Sequence, residues 1–564
     1  MKTKLLLLVF LSLVHVTGAF AQDKIRVSEK KAPTVRLKGY ELIEMFQTHH
    51  DEYWSLTRTG TKYFVANYDR NLNLISKKRL KFRYDKKNLQ FEKVLKFGGE
   101  YMFFLSFDNI KKKKKYLFYT TFEPDDLELG TDLTKVGEVK MQLRRTTAPH
   151  YAINVSDDNQ HLFITAIPPS RIRMSKKEWY QVWKRRHVVE SKKEKTAKFS
   201  FWVLNKQKEI VNYEKKHEIL IEDAGDVFEY RNFVVDNDGT IYILGRNKLV
   251  EHLTRSERRQ KKSKTWLDYE TSAYLLEQIR PDGETIQFTT EEGVLYNDMD
   301  IRLDKKGNVH LIGLTAEQMG YNLVSTGLSY YTLSKSGLEV INEASAGFTE
   351  DVLDHVNPIR EKKEGEKTKK ELRRERRNKK REKKLSEEDK KMLEIAKRAA
   401  LKINTIAYFE LDKEEKPFVV LEERYVHIVT TTTTDQNGNT TTHTTYYYHY
   451  DDIILAKFDG ENVEQNYYEK DYVSVNHELT IPLSVTVDDD NYTIMAQNRL
   501  IRCDADLANV TDYILKGNSK RKSAKGRKRT TRNKFDYSKP VSDNTLVAAI
   551  RKRKKTTWFK IVIQ

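Results

Sequence analysis

The sequence predicts an all-β protein built from repeated four-stranded modules, on three observations: a recurring hairpin phrase, a second hairpin phrase that follows it, and copies spaced roughly 70 to 80 residues apart. The first phrase reads Val234-Val235-Asp236-Asn237-Asp238-Gly239-Thr240-Ile241-Tyr242-Ile243-Leu244-Gly245, and returns as Arg302-Leu303-Asp304-Lys305-Lys306-Gly307-Asn308-Val309-His310-Leu311-Ile312-Gly313. Looser copies occupy 154–164 and 486–495. β-Branched and aromatic residues flank a turn of Asp, Asn and Gly, the residues that tolerate the backbone a tight reversal requires. The second phrase is seen in Tyr274-Leu275-Leu276 through Pro281-Asp282-Gly283-Glu284, in Tyr331 to Gly337, and in Ile453 to Gly460.

Two hairpins per copy make a four-stranded module, and weaker modules fit near 33–80, 91–140 and 400–470, giving about seven. With these phrases the chain resembles secreted β-propeller proteins, whose strand pairs often carry an aspartate-rich turn followed by a glycine and an aromatic residue. The resemblance covers most of 30–564 and implies an architecture only. A β-helix fits poorly with the long period and antiparallel hairpins, and an outer-membrane barrel with the lack of regular lipid-facing alternation. In a ring of this kind Val35 to Ile43 and Trp558 to Ile563 would supply the closing strands.

Ahead of the modules, Lys2 and Lys4 precede an apolar run from Leu5 to Val16, followed by Gly18-Ala19-Phe20-Ala21. This is the pattern of a signal peptide, too short to span a bilayer comfortably, with cleavage expected after Ala21. The expected organisation is therefore a signal peptide at 1–21 and a β-propeller-like domain at 22–564, in an exported periplasmic or secreted protein. The one cysteine, Cys503, leaves no intramolecular disulfide and no lipid-bearing cysteine at the cleavage site. Of the residues, 38% are hydrophobic, with 31 Tyr and 24 Phe, enough for a large core. The 33% charged fraction demands extensive solvated surface.

That surface is concentrated in insertions at 171–198, 246–270, 344–402 and 499–545. If the Asp/Gly turns join the first to the second and the third to the fourth strand of each module, the insertions use the opposite set of connections, so they share one face. Lys and Arg exceed Asp and Glu there by about 8 in 171–198, about 4 in 246–270, about 10 in 360–402 and about 9 in 518–534. Against a net charge of +20 for the whole chain, the remainder is mildly acidic beneath a basic crown. Residues 360–402 have the composition of a charged helix, protruding at first and anchored near Met392 to Leu401. The segment 520–534 has that of a disordered loop. The candidate binding residues are Lys184, Arg185, Arg186, Arg258, Arg259, Arg373, Arg374, Arg376, Arg377, Lys520, Arg521, Lys522, Arg527, Lys528 and Arg529.

A crown of this sign attracts polyanions. Export and the absence of a nucleic-acid fingerprint turn the expectation from nucleic acid to an acidic protein or an anionic envelope polymer. Thr430 to Thr434 and Thr440 to Tyr450 read as one long hairpin with Asn437-Gly438 at its tip, projecting from the crown's face. His443 and His449 lie about 20 Å apart along it, too far to share a metal. The chain has no G-x-S-x-G, H-E-x-x-H or Walker loop, so no catalytic residue, metal site or cofactor is expected. Asp236 and Asp238 read as turn residues in preference to calcium ligands. The expected function is a noncatalytic binding scaffold. The alternatives are a propeller hydrolase or lyase using carboxylates or a divalent metal at a central channel, and a structural component of an envelope complex.

Overall fold

The computed structural model describes residues 27–34, 41–48, 51–84, 87–140, 150–167, 196–220, 227–250, 267–268, 274–291, 294–319, 322–352, 403–434, 440–468, 472–475, 483–487, 491–496, 499–507, 511–515, 537–542, 544–552 and 555–563. They form eight antiparallel sheets of β-propeller type, where about seven were expected; five have four strands and three have a fifth, and Arg83–Tyr84 pairs separately with Lys87–Asn88. In each sheet the strands are lettered A to D along the path, and A strands of consecutive blades run side by side within each of two compact units.

The larger unit, 80–478, holds blades 2 to 6. Blade 2 comprises Gln90–Phe97, Glu100–Asn109, Lys114–Glu123 and Thr134–Lys140. Blade 3 comprises His150–Val155, His161–Ile167, Thr196–Asn205 and Ile210–Leu220. Blade 4 comprises Val227–Val235, Ile241–Val250, Tyr274–Ile279 and Thr285–Thr289. Blade 5 comprises Leu295–Leu303, Val309–Met319, Asn322–Leu333 and Val340–Gly347. Blade 6 comprises Ile403–Leu411, Pro417–Thr434, Thr440–Asp459 and Asn462–Tyr468.

The smaller unit joins 1–79 to 479–564 and holds blades 7, 8 and 1. Blade 7 comprises Leu483–Val487, Asn491–Ala496, Arg499–Asp504 and Thr511–Ile514. Blade 8 takes Tyr537–Ser542, Thr545–Lys552 and Lys555–Ile563 from the C-terminal end, and its D strand, Val27–Lys31, from the N-terminal end. Blade 1 comprises Glu41–Gln47, Tyr53–Thr59, Lys62–Tyr68 and Leu74–Leu80. The terminal pairing corrects the expected one. Val27 lies opposite Ile563 and Lys31 opposite Phe559, whereas Glu41 to Ile43 begin the A strand of the following blade. The eighth blade is the one split between the two ends of the chain, so a count of consecutive phrases passes over it.

The Asp/Gly phrases are A-to-B turns. Asp236 Oδ1 accepts from the N–H of Asn237, Asp238 Oδ1 from that of Thr240, and Asp304 Oδ1 from those of Lys306 and Asn308. Gly239 and Gly307 sit at φ of 88° and 83°, the left-handed region in which a side chain is strained. The middle strands are buried on both faces, as in Tyr274–Ile279 and in Val419 to Leu421, because each blade is covered by a neighbour on either side. The cores accordingly lie between consecutive blades. Phe104 and Leu117 meet Ile164 and Trp202 between blades 2 and 3, and Tyr242 and Leu276 meet Tyr296 and Leu311 between blades 4 and 5. In the smaller unit, Tyr68 packs edge-on against Trp558 at 5.6 Å between blades 1 and 8.

Each unit therefore has an A–B and C–D turn edge and an opposite edge of B-to-C and D-to-A connections. The chain leaves the latter edge at Ile167 and returns at Thr196, and does so again after Val250 and after Val352. The expected insertion at 499–545 is corrected: 499–504 and 511–514 are the C and D strands of blade 7, and the interruption is the D-to-A connection at 516–536. The expected helix at 360–402 lies almost wholly outside the described residues, within which helix is confined to 350–352. No helix among the described residues is long and apolar enough to cross a membrane.

Candidate functional site

Polar chemistry in the described residues gathers on the A strands, and β-bulges place it there. The ladder from strand A to strand B slips by one residue at Ile43, Glu92, Arg231, Asn297 and Ala407, in blades 1, 2, 4, 5 and 6. A bulge bends its strand and re-aims the side chains around it. After the bulge, Glu44, Asn232 and Asp298 each turn a side-chain oxygen back onto the next N–H, at 3.0, 2.8 and 3.1 Å. The residue that follows, Met45, Phe233 or Met299, is buried. Each of these three A strands thus changes from polar to core-facing within one step.

In the larger unit these side chains connect blade to blade. Lys93 donates to the carbonyl of Ile153, and Asn154 to that of Phe233. Asn232 donates to Asp300 Oδ1 at 2.5 Å, and Arg231 Nη1 lies 4.0 Å from Asp298 Oδ1. Asp298 Oδ2 in turn accepts from the backbone N–H of Ile406 at 3.3 Å. Arg302 stands between Asp300 at 3.7 Å and Glu410 at 3.6 Å. Burial raises the pKa of Asp298 above the ordinary aspartate value, and Arg231 with the Ile406 N–H offsets this only in part. The smaller unit uses the same device, with Lys539 on Glu44 at 2.6 Å and Ser484 donating to the Ser538 carbonyl at 2.7 Å.

This arrangement can hold A strands together, since each carboxylate has a donor from the next blade. No group of three His, Cys, Asp or Glu side chains among the described residues is placed to hold a metal ion.

On the turn edge, a cavity of about 390 Å³ lies between blades 4 and 5, lined by Asp238, Gln278, Arg280 and Lys335 among others. Its cations are already engaged. Lys335 contacts Asp236 at 2.5 Å and Asp238 at 2.8 Å, and Arg280 bonds Glu284 and the Ser336 carbonyl. Burial opposes the charge on Lys335, but the two aspartates outweigh it and hold its pKa above the ordinary lysine value.

A third cluster joins blade 3 to blade 4. His217 Nε2 lies 2.5 Å from Glu277 and its Nδ1 2.7 Å from Glu214, while Gln287 donates to the other oxygen of Glu277 at 3.1 Å. Phe199 and Phe201 flank the imidazole.

All fifteen residues expected to form the basic binding site, from Lys184 to Arg529, lie outside the described residues. The Thr/Tyr hairpin is present as the B and C strands of blade 6, with Thr434 opposite Thr440. The A-strand network and the His217 cluster were not anticipated. A signal for the former exists in the repeat, because Asn232 and Asp300 stand at the same distance ahead of Asp236 and Asp304. His217 and Glu277 belong to different blades and share no phrase.

No protein-family model matches this sequence, and no curated protein does. Among solved structures it is similar to the β-propeller domain of the Trilobed protease from Pyrococcus furiosus, at 9% identity and a TM-score of 0.31 over 85% of this chain and 97% of that one. It is also similar to the polysaccharide lyase Uly1, at 9% identity and a TM-score of 0.34 over 86% and 92%. An acylaminoacyl peptidase matches at 10% identity and a TM-score of 0.31 over 91% of this chain and 58% of that one. The architecture is a β-propeller. Its likenesses are too distant to bear on a substrate or partner.

Proposed function

We propose that this protein is an exported, noncatalytic binding scaffold whose insertion-bearing edge engages an acidic protein or an anionic envelope polymer. The observation that carries this reading is the strand order. The basic segments at 171–195, 251–266 and 360–402 all connect strand ends on one edge of the larger unit, and 518–534 connects strand ends on the corresponding edge of the smaller. Positive charge confined to one set of connections supports a focused potential, which raises the local concentration of an anionic partner and is weakened by salt. The commitment of Asp298, Asp300 and Glu410 to donors in neighbouring blades favours a scaffold over a carboxylate enzyme.

The test is a pulldown from envelope extract at two salt concentrations, with the parent and a variant lacking 360–398 and 520–534. The expected result is capture of anionic material that falls as the Debye length drops below about 10 Å and is largely lost in the variant. Identical partner sets for the two proteins would refute the reading. Export is tested separately by N-terminal sequencing of envelope-associated protein, which should begin at Gln22.

A further inference from the structure

The cavity on the turn edge of the larger unit is bordered by the A–B and C–D turns of blade 4 and the C–D turn of blade 5. Its volume of about 390 Å³ falls among small-ligand sites, which span about 300–1,000 Å³. Charge around it does not balance. The lining residues and their ion-pair partners comprise four carboxylates, Asp236, Asp238, Asp282 and Glu284, against two cations, Lys335 and Arg280. Asp282 is exposed, its Oδ1 accepts from the N–H of Glu284 at 2.9 Å, and no ion pair reaches it among the described residues. The A–B turn of blade 3 adds to the excess, since the N–H of Asp158 donates to Asn237 at 3.1 Å and so brings that turn alongside. Burial raises the pKa of Asp157 in the same turn; Arg302 opposes the rise, and Asp236 and Asp158 add to it.

A second observation comes from Gln278, which lines the same cavity and is 1% exposed. Its amide nitrogen donates to the Lys335 carbonyl at 2.7 Å and to the Tyr242 hydroxyl at 3.1 Å. Turning the amide over would set its oxygen against the Lys335 carbonyl, so these partners fix its orientation. The oxygen is then a buried acceptor with no donor among the described residues. Such a group is costly to leave unmet, and a ligand in the adjoining cavity can supply the missing donor. The carboxylates of Asp238 and Asp282 and the Ser336 hydroxyl add further acceptors around the wall. They are spread out, and no three His, Cys, Asp or Glu side chains among the described residues converge as metal ligands do. Dispersed acceptors with excess negative charge suit an organic cation bearing N–H groups.

We propose that this cavity binds an alkylammonium group, with Asp238 and Asp282 supplying the countercharge and the Gln278 carbonyl accepting one of its hydrogen bonds. The choice of an ammonium follows from geometry. Its three donors rotate to separate acceptors, whereas a guanidinium is a rigid fork matched to a single carboxylate. Lys335 already shows the fit, its ammonium shared between Asp236 at 2.5 Å and Asp238 at 2.8 Å. The group can arrive on a free amine or on a lysine side chain of a peptide, since both present the same atoms. The site is on the edge opposite the basic connections and stands independently of the function proposed for them.

The experiment is calorimetric titration of the full mature chain with n-butylamine and, separately, with the peptide acetyl-Gly-Lys-Gly-amide. Both should bind saturably at one site, and the tighter of the two identifies the source. A chain of net charge +20 repels cations at large, so saturable binding reports a local site. Tetramethylammonium, which has the charge without N–H donors, should bind about tenfold more weakly. Asp282→Asn keeps an acceptor for the Glu284 N–H but removes the charge, and should weaken the ammonium probes by about fivefold. Lys335→Met vacates the built-in ammonium and uncovers Asp236 and Asp238, so it should bind the probes more tightly than the parent. The two variants thus move affinity in opposite directions, and Asp282→Asn, on an exposed turn, decides the matter if Lys335→Met does not fold. Absence of saturable binding of both ammonium probes to the parent would overturn the proposal. So would equal affinity for tetramethylammonium, or an affinity that Asp282→Asn leaves unchanged.

Discussion

Replacing His217 by Ala should cost the larger unit about 3 kcal/mol, and the reason lies in what the substitution leaves behind. Glu277 is buried, with 2% of its side chain exposed, and His217, 7% exposed, is the cation that faces it. Breaking a buried ion pair by removing one partner costs about 3–5 kcal/mol, because the other charge remains in a poor solvent. The Gln287 amide still donates to Glu277, which places the expected loss at the lower end. Glu214 is 46% exposed, and its share should be below about 1 kcal/mol. Burial alone would discourage the imidazolium, but the hydrogen bonds to Glu277 and Glu214 outweigh it and raise the pKa of His217 above its ordinary 6.5. The stabilisation is therefore fully present below the unfolded-state pKa and is lost as pH rises through the higher folded-state value, with a slope of at most about 1.4 kcal/mol per pH unit. Tyr230, a titratable neighbour of Glu277 among the described residues, is held protonated by burial throughout that range. Hydrogen exchange on the strands of blades 3 and 4, from about pH 6 to about pH 9, reads the local free energy directly. His217→Gln, which keeps a hydrogen-bonding amide but cannot titrate, should abolish the pH-dependent part. A loss below about 1 kcal/mol in His217→Ala, or a pH profile unchanged by His217→Gln, would refute the argument.

Gly137→Val should destabilise the contact between blades 2 and 3 by about 1–3 kcal/mol. A Cβ there would stand 2.4 Å from the ring of Trp202, which is buried, and a shifted tryptophan emission would report it. Deleting 27–31 removes the D strand of blade 8 and uncovers the ladder of Lys555–Ile563, so the unfolding midpoint of the smaller unit should fall, and a peptide of those five residues should partly restore it. Asp304→Ala should cost about 1–3 kcal/mol by leaving the N–H groups of Lys306 and Asn308 without their acceptor. Burial works against ionised Asp304, but its bonds to Asn308 prevail and lower its pKa. The parent should lose this contribution as pH falls through that depressed value, and the variant should show no such loss in acid titration of stability.

The turns were legible residue by residue. Asp236 to Gly239 and Asp304 to Gly307 show their function locally, because a tight reversal needs a side-chain acceptor for its N–H groups and a residue at home at positive φ, all within four or five positions. The Thr/Tyr hairpin was legible for a similar reason, its two arms lying close in sequence and pairing with each other out to Thr434 and Thr440. The number of blades was less so: seven arise from consecutive phrases, and the eighth needs Val27 to find Ile563 from the far end of the chain.

By itself the sequence determined the all-β class, the hairpin phrases and the segregation of positive charge into a few connecting segments. These depend on composition, on period and on neighbours within a turn. Only the tertiary structure decided which strand completes blade 8, which edge of each unit the connections share, and which polar groups meet. Asn232 meets Asp300, Arg302 meets Glu410, and His217 meets Glu277, each across a boundary between blades. The physical reason is that a blade buries its faces only against another blade. A polar residue on an A strand has its partner chosen by the packing of the next module: the repeat marks the positions of Asn232 and Asp300, but local spacing does not say that they meet.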